Sequence, residues 1–319
     1  MNLPSRSALF AMAVFGLVLG LIGCETADET VTGSGSKTAL AKPTNLRAYS
    51  ASAISVGLTW TPSTDAAFAD FLEYQITVKA GTSTVSTVSA PKNAASSIIS
   101  GLIEGTVYTF QLVAKASSTS QNYMNSDSVT VQWAPARRLG TEGVIPIAIY
   151  EISSTAGGSG LQFFHAPTAG PRVLSISQSA GFQQVIDVLL AGTGSNIVLK
   201  SAHLNPLLSG QARITKFSTI DTPSDTLDIG QASPPSTGTY TQDSVFIGAG
   251  AGATGKIFYA VSNDNNYVRI FVRRDQSSGT LLFGAAPDRR IVASLSYQGV
   301  AGVPFAKPTV RKWQKFTKE

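Results

Sequence analysis

Gly101-Leu102-Ile103-Glu104-Gly105-Thr106-Val107-Tyr108-Thr109-Phe110 is the stretch whose reading decides the fold. Tyr108, Phe110 and, just beyond, Leu112 fall at period two with small or polar residues between them. Successive side chains of a strand point to opposite faces, so this run buries one face and leaves the other to water. Upstream the texture repeats in Val56, Leu58 and Trp60, and again in Tyr74, Ile76 and Val78. Turn residues separate these runs about every ten positions, the pattern of a small antiparallel sandwich.

Pro43-Thr44-Asn45-Leu46, the run ending in Trp60, Tyr74-Gln75-Ile76-Thr77-Val78 and the stretch quoted above together resemble a fibronectin type III domain over residues 43–135. Proline at the entry, tryptophan in the second strand and a Leu-x-x-Gly-Thr-x-Tyr corner carry the resemblance. Trp60, Tyr74, Leu102 and Tyr108 are then core residues rather than sites. Trp60 should fill the space between two sheets, and Tyr108 should bury its ring while its hydroxyl bonds backbone near Leu102 or Gly105. The resemblance implies a scaffold used for spacing, adhesion, or carbohydrate or protein contact. The Arg-Gly-Asp tripeptide of integrin-binding members is absent.

Toward the N-terminus the reading changes. Arg6 is the one charged side chain before an uncharged run from Ala8 to Ile22, which ends in Leu21-Ile22-Gly23-Cys24. The fifteen residues of that run are fewer than the ~20 that cross a hydrocarbon core. Residues 1–23 therefore read as a secretory signal peptide. Leu21 to Cys24 resembles a bacterial lipobox, which implies cleavage before Cys24 and a lipoprotein whose thiol carries a diacylglyceryl group, with palmitate among its acyl chains. Membrane attachment through lipid at Cys24 follows, since two or more chains give stable anchoring. Glu25 rather than Asp at the next position implies the outer membrane, at the cell surface or the periplasmic face. Residues 24–42 lack apolar periodicity and are rich in Thr, Ser, Gly and Ala, as in a flexible linker.

Composition agrees with an extracytoplasmic β protein: only 13% of residues are charged, and Cys24 is the single cysteine, so no disulfide forms. The basic excess lies in the second half. Residues 43–135 hold four basic and five acidic side chains, and 136–319 hold seventeen against eleven. Proline, glycine and paired arginines at Ala134 to Gly140 mark a domain boundary. Beyond it, Val144 to Ile152, Leu161 to Phe164, Arg172 to Ser177, Val185 to Leu190, Ile197 to Lys200, Ala212 to Phe217, Ser244 to Ile247, Lys256 to Val261, Val268 to Val272, Leu281 to Phe283 and Ile291 to Tyr297 read as strands. Only Gly181 to Leu190 and Asn205 to Ser209 are open to a short helix. The expected fold is all-β: a fibronectin type III β-sandwich followed by a second, larger β-sandwich, jelly-roll-like, over residues 136–306.

Within that second sandwich Asn263 to Asn266 forms a turn, because Asn and Asp tolerate left-handed backbone. Period two then places Tyr267, Arg269, Phe271 and Arg273 on one face of a strand and Val268, Ile270 and Val272 on the other. The second face belongs to the core. The first, with aromatics and arginines suited to stacking and to anionic groups, is a possible binding face, against the plain reading of a solvated outer surface. Residues 307–319 form a basic tail with Trp313 and Phe316 among Lys307, Arg311, Lys312, Lys315 and Lys318, either suited to an anionic surface or simply a charged chain end.

Other motifs fail on their chemistry. Gly250 to Gly255 matches a dinucleotide fingerprint, but phosphate binding there needs a helix to begin, and strand follows instead. Nucleotide and nucleic acid are not expected partners. His165 and His203 are the only histidines, too few for zinc. Asp221, Asp225, Asp228, Asp243 and Asp264 could offer oxygens to calcium, yet no Asp-x-Asp-x-Asp-Gly loop is present, and no cofactor is expected. No Gly-x-Ser-x-Gly elbow exists. Asp187 interrupts an apolar run and should be buried. A hydrolase would need Asp187, Glu151 or His203 to converge in a cleft, whereas a carbohydrate-binding module would show Tyr259, Tyr267 and Tyr297 exposed on one sheet face. The expectation is a lipid-anchored cell-envelope protein that is not an enzyme, with a binding, adhesion or structural role and an envelope protein or polysaccharide as partner. The alternatives are polysaccharide capture and, behind it, an extracytoplasmic hydrolase.

Overall fold

A computed structural model describes residues 36–140, 147–176, 183–193, 196–208, 213–224, 234–248 and 253–305. The signal peptide, Cys24, most of the linker, Asp225, Asp228 and the basic tail lie outside them. Among the described residues there is no α-helix, and no helix is long and apolar enough to cross a membrane. The fold is all-β.

The first sandwich runs through β1 (Thr38–Ala39), β2 (Thr44–Ser52), β3 (Ser55–Thr61), β4 (Phe71–Ala80), β5 (Ser83–Pro91), β6 (Ser96–Ser100), β7 (Tyr108–Ala116), β8 (Tyr123–Met124) and β9 (Val129–Trp133). A three-stranded sheet, β2-β3-β6, packs on a four-stranded sheet, β5-β4-β7-β9, and β1 pairs with β8. The alternating residues make this possible. Val56, Leu58 and Trp60 from one sheet meet Tyr74, Ile76, Val78, Phe110 and Leu112 from the other in a single core. Trp60 packs edge-on against Tyr74, with ring centroids 5.5 Å apart, and Leu102 is buried beside them.

The buried hydroxyls find backbone or side-chain partners, as burial requires. Tyr108 Oη accepts the Ile103 amide N–H at 3.1 Å, between Leu102 and Gly105. Tyr74 Oη accepts the Ser63 N–H at 2.8 Å. Trp133, which periodicity did not single out, is among the largest fully buried side chains and donates its indole N–H to Ser50 Oγ at 3.0 Å.

The second sandwich comprises β10 (Arg137–Leu139), β11 (Ile147–Tyr150), β12 (Gly160–His165), β13 (Gly170–Leu174), β14 (Val188–Thr193), β15 (Asn196–Ser201), β16 (Lys216–Ser224), β17 (Tyr240–Gln242), β18 (Ser244–Phe246), β19 (Gly255–Val261), β20 (Tyr267–Arg273) and β21 (Arg290–Tyr297). One sheet has the order β10-β21-β20-β19-β16-β17, with β11 also on β21, and the other has the order β13-β12-β14-β15-β18. Leu161, Phe163, Val188, Leu190, Ile197 and Leu199 of the smaller sheet close on Phe258, Val268, Ile270, Val272, Ile291 and Leu295 of the larger. Leu281 to Phe283 is not a strand: only Phe283 bridges, to Arg290. The segments open to short helices hold single 3-10 turns, Gln183–Val185 and Pro206–Leu208.

After β21 the chain returns to the first sandwich. Gln298, fully buried, donates from Nε2 to the carbonyls of Pro135 at 3.0 Å and Phe305 at 2.9 Å. Phe305 joins the first core and packs edge-on against Trp133, 5.2 Å between centroids. Glu104 accepts from Arg137 Nε and from the Gly299 N–H, both at 3.0 Å. Gly105 has φ +76, and a Cβ there would stand 2.4 Å from Val300, so the turn is glycine for both conformation and space. The two sandwiches thus share a packed, hydrogen-bonded junction.

Candidate functional site

The strand carrying Tyr267, Arg269, Phe271 and Arg273 follows a tight turn in which Asn265 takes φ 60. Its inner face, Val268, Ile270 and Val272, lies in the core between the sheets. The outer face was expected to be open, and it is not. Arg269 and Phe271 are 2% and 1% exposed and Tyr267 is buried, leaving Arg273 partly accessible. The cover is aromatic and aliphatic: Ile257, Tyr259 and Phe271 form a small cluster with Tyr240 against it, and Tyr240 stands edge-on to Tyr267 at 5.2 Å. The row of exposed tyrosines is likewise missing. Tyr259 pairs across from Arg269 on this outer face, whereas Tyr297 pairs with Val268 on the inner one, and all three rings are buried.

Asp187 and Glu151 are each held by a separate arginine. Asp187, 2% exposed, uses both carboxylate oxygens: Oδ2 accepts the Phe163 N–H at 2.8 Å and Oδ1 accepts Arg213 Nε at 2.6 Å. Its carbonyl accepts Thr215 Oγ1–H at 3.0 Å and the Ala202 N–H at 3.1 Å. Glu151, 3% exposed, takes a two-pronged contact from Arg289 at 2.6 and 2.7 Å. His203 shares a hydrogen with Ser201 Oγ at 2.7 Å and lies 3.8 Å from Asp243, which Lys216 holds at 2.6 Å. Ser201, His203 and Asp243 have the residue types of a triad, but Ser201 is 0% exposed and its hydroxyl also accepts the Thr215 N–H. A nucleophile must meet its substrate, so this chain of bonds is structural.

One cleft does bring charged and polar groups together. Gln162, Phe164, Asp187, Arg213, Ser262, Asp264 and Tyr297 line a cavity of about 50 Å³, room for a few waters. Arg213 bridges the two carboxylates, reaching Asp264 from Nη2. Burial pushes the Asp187 carboxyl above its usual range, against the opposing pull of Arg213. Burial acts to lower Arg213, but Asp187 and Asp264 together hold it above its ordinary value. Tyr297 is raised to about 12, by burial first and then by the same two acids. Gln162 Oε1 is buried without a hydrogen-bond partner among the described residues. Phe164 stacks on Tyr297 at 5.1 Å, and Arg137 sits 4.6 Å over the Phe164 ring. The arrangement offers acceptors and one guanidinium to a small polar group.

Asp187 as a buried interruption of an apolar run was the only trace of this cleft in the sequence. Arg213, Gln162 and Asp264 are brought to it from three separate segments, and no spacing rule connects them. The remaining motifs fall elsewhere. Gly255 opens β19 and no helix begins there, which removes the phosphate-loop geometry. Asp221 pairs with Lys256 and Asp243 with Lys216. Among the described residues no group of three or more His, Cys, Asp and Glu gathers as a metal site. His165 bonds Thr168 Oγ1 at 3.0 Å.

Comparison with known proteins agrees with the first sandwich. Residues 41–132 match the fibronectin type III domain model, and this segment is a fibronectin type III domain. Among solved structures, the fn3 domain of human collagen alpha-1(XX) chain is 21% identical, with 35% of this chain and 99% of that chain covered and a TM-score of 0.27. A computationally redesigned β-sandwich protein is 17% identical, covering 31% of this chain and 92% of that one with a TM-score of 0.25. A myokine structure is also 17% identical, at 31% and 99% coverage and a TM-score of 0.24. No curated protein matches the chain.

Proposed function

We propose that this chain is a lipid-anchored cell-envelope protein, held through Cys24 at an outer membrane, with a non-catalytic binding, adhesion or structural role. Fibronectin type III domains generally serve such roles, and fold alone does not fix which. The observation that carries the reading is the state of the candidate acids. Asp187 and Glu151 are buried and their carboxylate oxygens are engaged by separate arginines, so neither is poised to exchange a proton with a substrate. The junction through Gln298, Glu104 and Phe305 suits a stiff module that projects its second sandwich from a tether.

Fractionation of cells carrying wild type beside Cys24→Ala, with protease shaving of intact cells, tests this. Wild type in the membrane fraction and the variant released from it is the expected result; a variant that stays membrane-bound sinks the anchor. A second reading, polysaccharide capture, draws on the cleft, whose acceptors and guanidinium beside stacked rings suit sugar hydroxyls. Glycan-array binding that Asp264→Ala abolishes would favour it. Binding unchanged by that substitution removes the cleft from the account.

A further inference from the structure

Arg269 is the most unusual charged group among the described residues. It is 2% exposed, and its Nε and Nη1 are buried with no hydrogen-bond partner among the described residues. The ion pairs of this sandwich engage Arg213, Lys216, Lys256 and Arg289, with their carboxylates spent on those cations. Among the described residues the groups that act on its charge are tyrosines, Tyr259 and Tyr240, and Arg138 stands opposite Ser296 on the next strand. Tyr259 lies across the strand pair, with the guanidinium carbon 5.4 Å from its ring centroid. On the other side the register places Ser296 directly opposite. Ser296 Oγ is itself buried without a hydrogen-bond partner among the described residues. Two guanidinium nitrogens and a hydroxyl without partners among the described residues therefore sit on adjacent strands of one face, beside Tyr259.

Burying a guanidinium without an acceptor is strongly unfavourable, and natural interiors satisfy nearly all such groups. A guanidinium presents parallel N–H donors in a fixed fork that matches an oxyanion. We propose that Arg269 and Ser296 form the floor of an anion seat that takes a phosphate- or carboxylate-type oxyanion, with Arg269 donating from its free nitrogens and Ser296 from Oγ. Tyr240 and Tyr267 wall the seat and hold water away from it. This inference stands independently of the membrane anchor.

Thermal melts of the purified full-length protein test it, in chloride buffer and in buffers of equal ionic strength containing inorganic phosphate or acetate. Phosphate should raise the wild-type midpoint by several degrees at concentrations well above its dissociation constant. Acetate raising it equally would assign a carboxylate as readily accepted as phosphate; acetate without effect would confine the seat to phosphate-type anions. Arg269→Met should melt above wild type in chloride, because the uncompensated charge is gone, and should lose the difference between anions and chloride. Ser296→Ala, which leaves the charge in place, should weaken the phosphate response several-fold. Equal phosphate shifts in wild type, Arg269→Met and Ser296→Ala would overturn the proposal, since they would reflect general exclusion of phosphate from protein surface. An absent shift in wild type would overturn it as well. Should Arg269→Met fail to fold, the wild-type and Ser296→Ala melts decide alone.

Discussion

The two sandwiches share a layering and differ in what they bury. The first fills the space between its sheets with alternating aliphatic and aromatic side chains, and its buried polar atoms are mostly hydroxyls and an indole tied to nearby partners, as with Tyr74, Tyr108 and Trp133, the Trp60 indole N–H being the exception among the described residues. The second has an apolar core of similar make-up, yet Asp187, Glu151 and Arg269 lie at 2 to 3% exposure among its strands. A neutral hydrogen bond is worth about 1 kcal/mol net, whereas breaking a buried ion pair by removing one member costs about 3 to 5 kcal/mol. The second sandwich is therefore the more brittle toward single polar substitutions, even though the pairs add little over apolar replacements.

Asp187→Ala gives the sharpest test. It strands the Phe163 N–H and leaves Arg213 to the half-exposed Asp264, and a loss of about 3 kcal/mol is expected in urea unfolding. Replacing both partners, as Asp187→Leu with Arg213→Met, should recover a large part of that loss, because no buried charge is left alone. A double variant as unstable as Asp187→Ala would break the distinction between the sandwiches. In the first, Trp133→Phe removes the indole donor to Ser50 and a ring edge, and about 1 to 2 kcal/mol is expected by the same measurement. A loss equal to that of Asp187→Ala would mean that both sandwiches depend alike on buried polar bonds.

The junction lies between these cases. Glu104→Ala removes the acceptor for Arg137 and for the Gly299 N–H, and the pair is partly exposed. About 1 kcal/mol is the expected loss, together with faster amide exchange at Gly299 and Val300 than in wild type. Exchange unchanged at those amides would show that Gln298 and Phe305 hold the segment without Glu104.

This contrast also explains what could be read from the chain. Val56, Leu58 and Trp60, or Tyr108, Phe110 and Leu112, declare a strand because strand burial has period two and needs only neighbours in sequence. The same rule located β19, β20 and β21 and the inner face of β20. It could not tell that the outer face of β20 is covered, since alternation marks which side chains share a face and not what lies against it. Tyr240, part of that cover, sits on a three-residue strand too short to show a period. The cleft was harder still. Asp187, Arg213 and Asp264 are joined through 26 and 51 residues of intervening separation, and the charge that explains Asp187 is invisible until the chain closes. Phe305 in the first core is the same lesson at the junction.

The smallest expected effect concerns Tyr297, at the edge of the cleft. Its hydroxyl is raised from 10.0 to about 12, by burial and then by Asp187 and Asp264. The folded chain thus keeps this proton through a range in which the unfolded chain gives it up. The unfolded state binds fewer protons there, so stability falls as pH rises. The contribution is fully present below pH 10 and is lost as pH climbs from about 10 through 12. Tyr297→Phe has no such proton and should show a shallower alkaline decline, seen as a midpoint difference from wild type that narrows or reverses across that window. In the first sandwich, burial also raises Tyr74, partly offset by the Ser63 N–H, so Tyr74→Phe should alter the alkaline slope in the same direction. A slope that responds only to Tyr74→Phe would place the alkaline sensitivity in the apolar core and leave the two acids of the cleft without measurable influence on Tyr297.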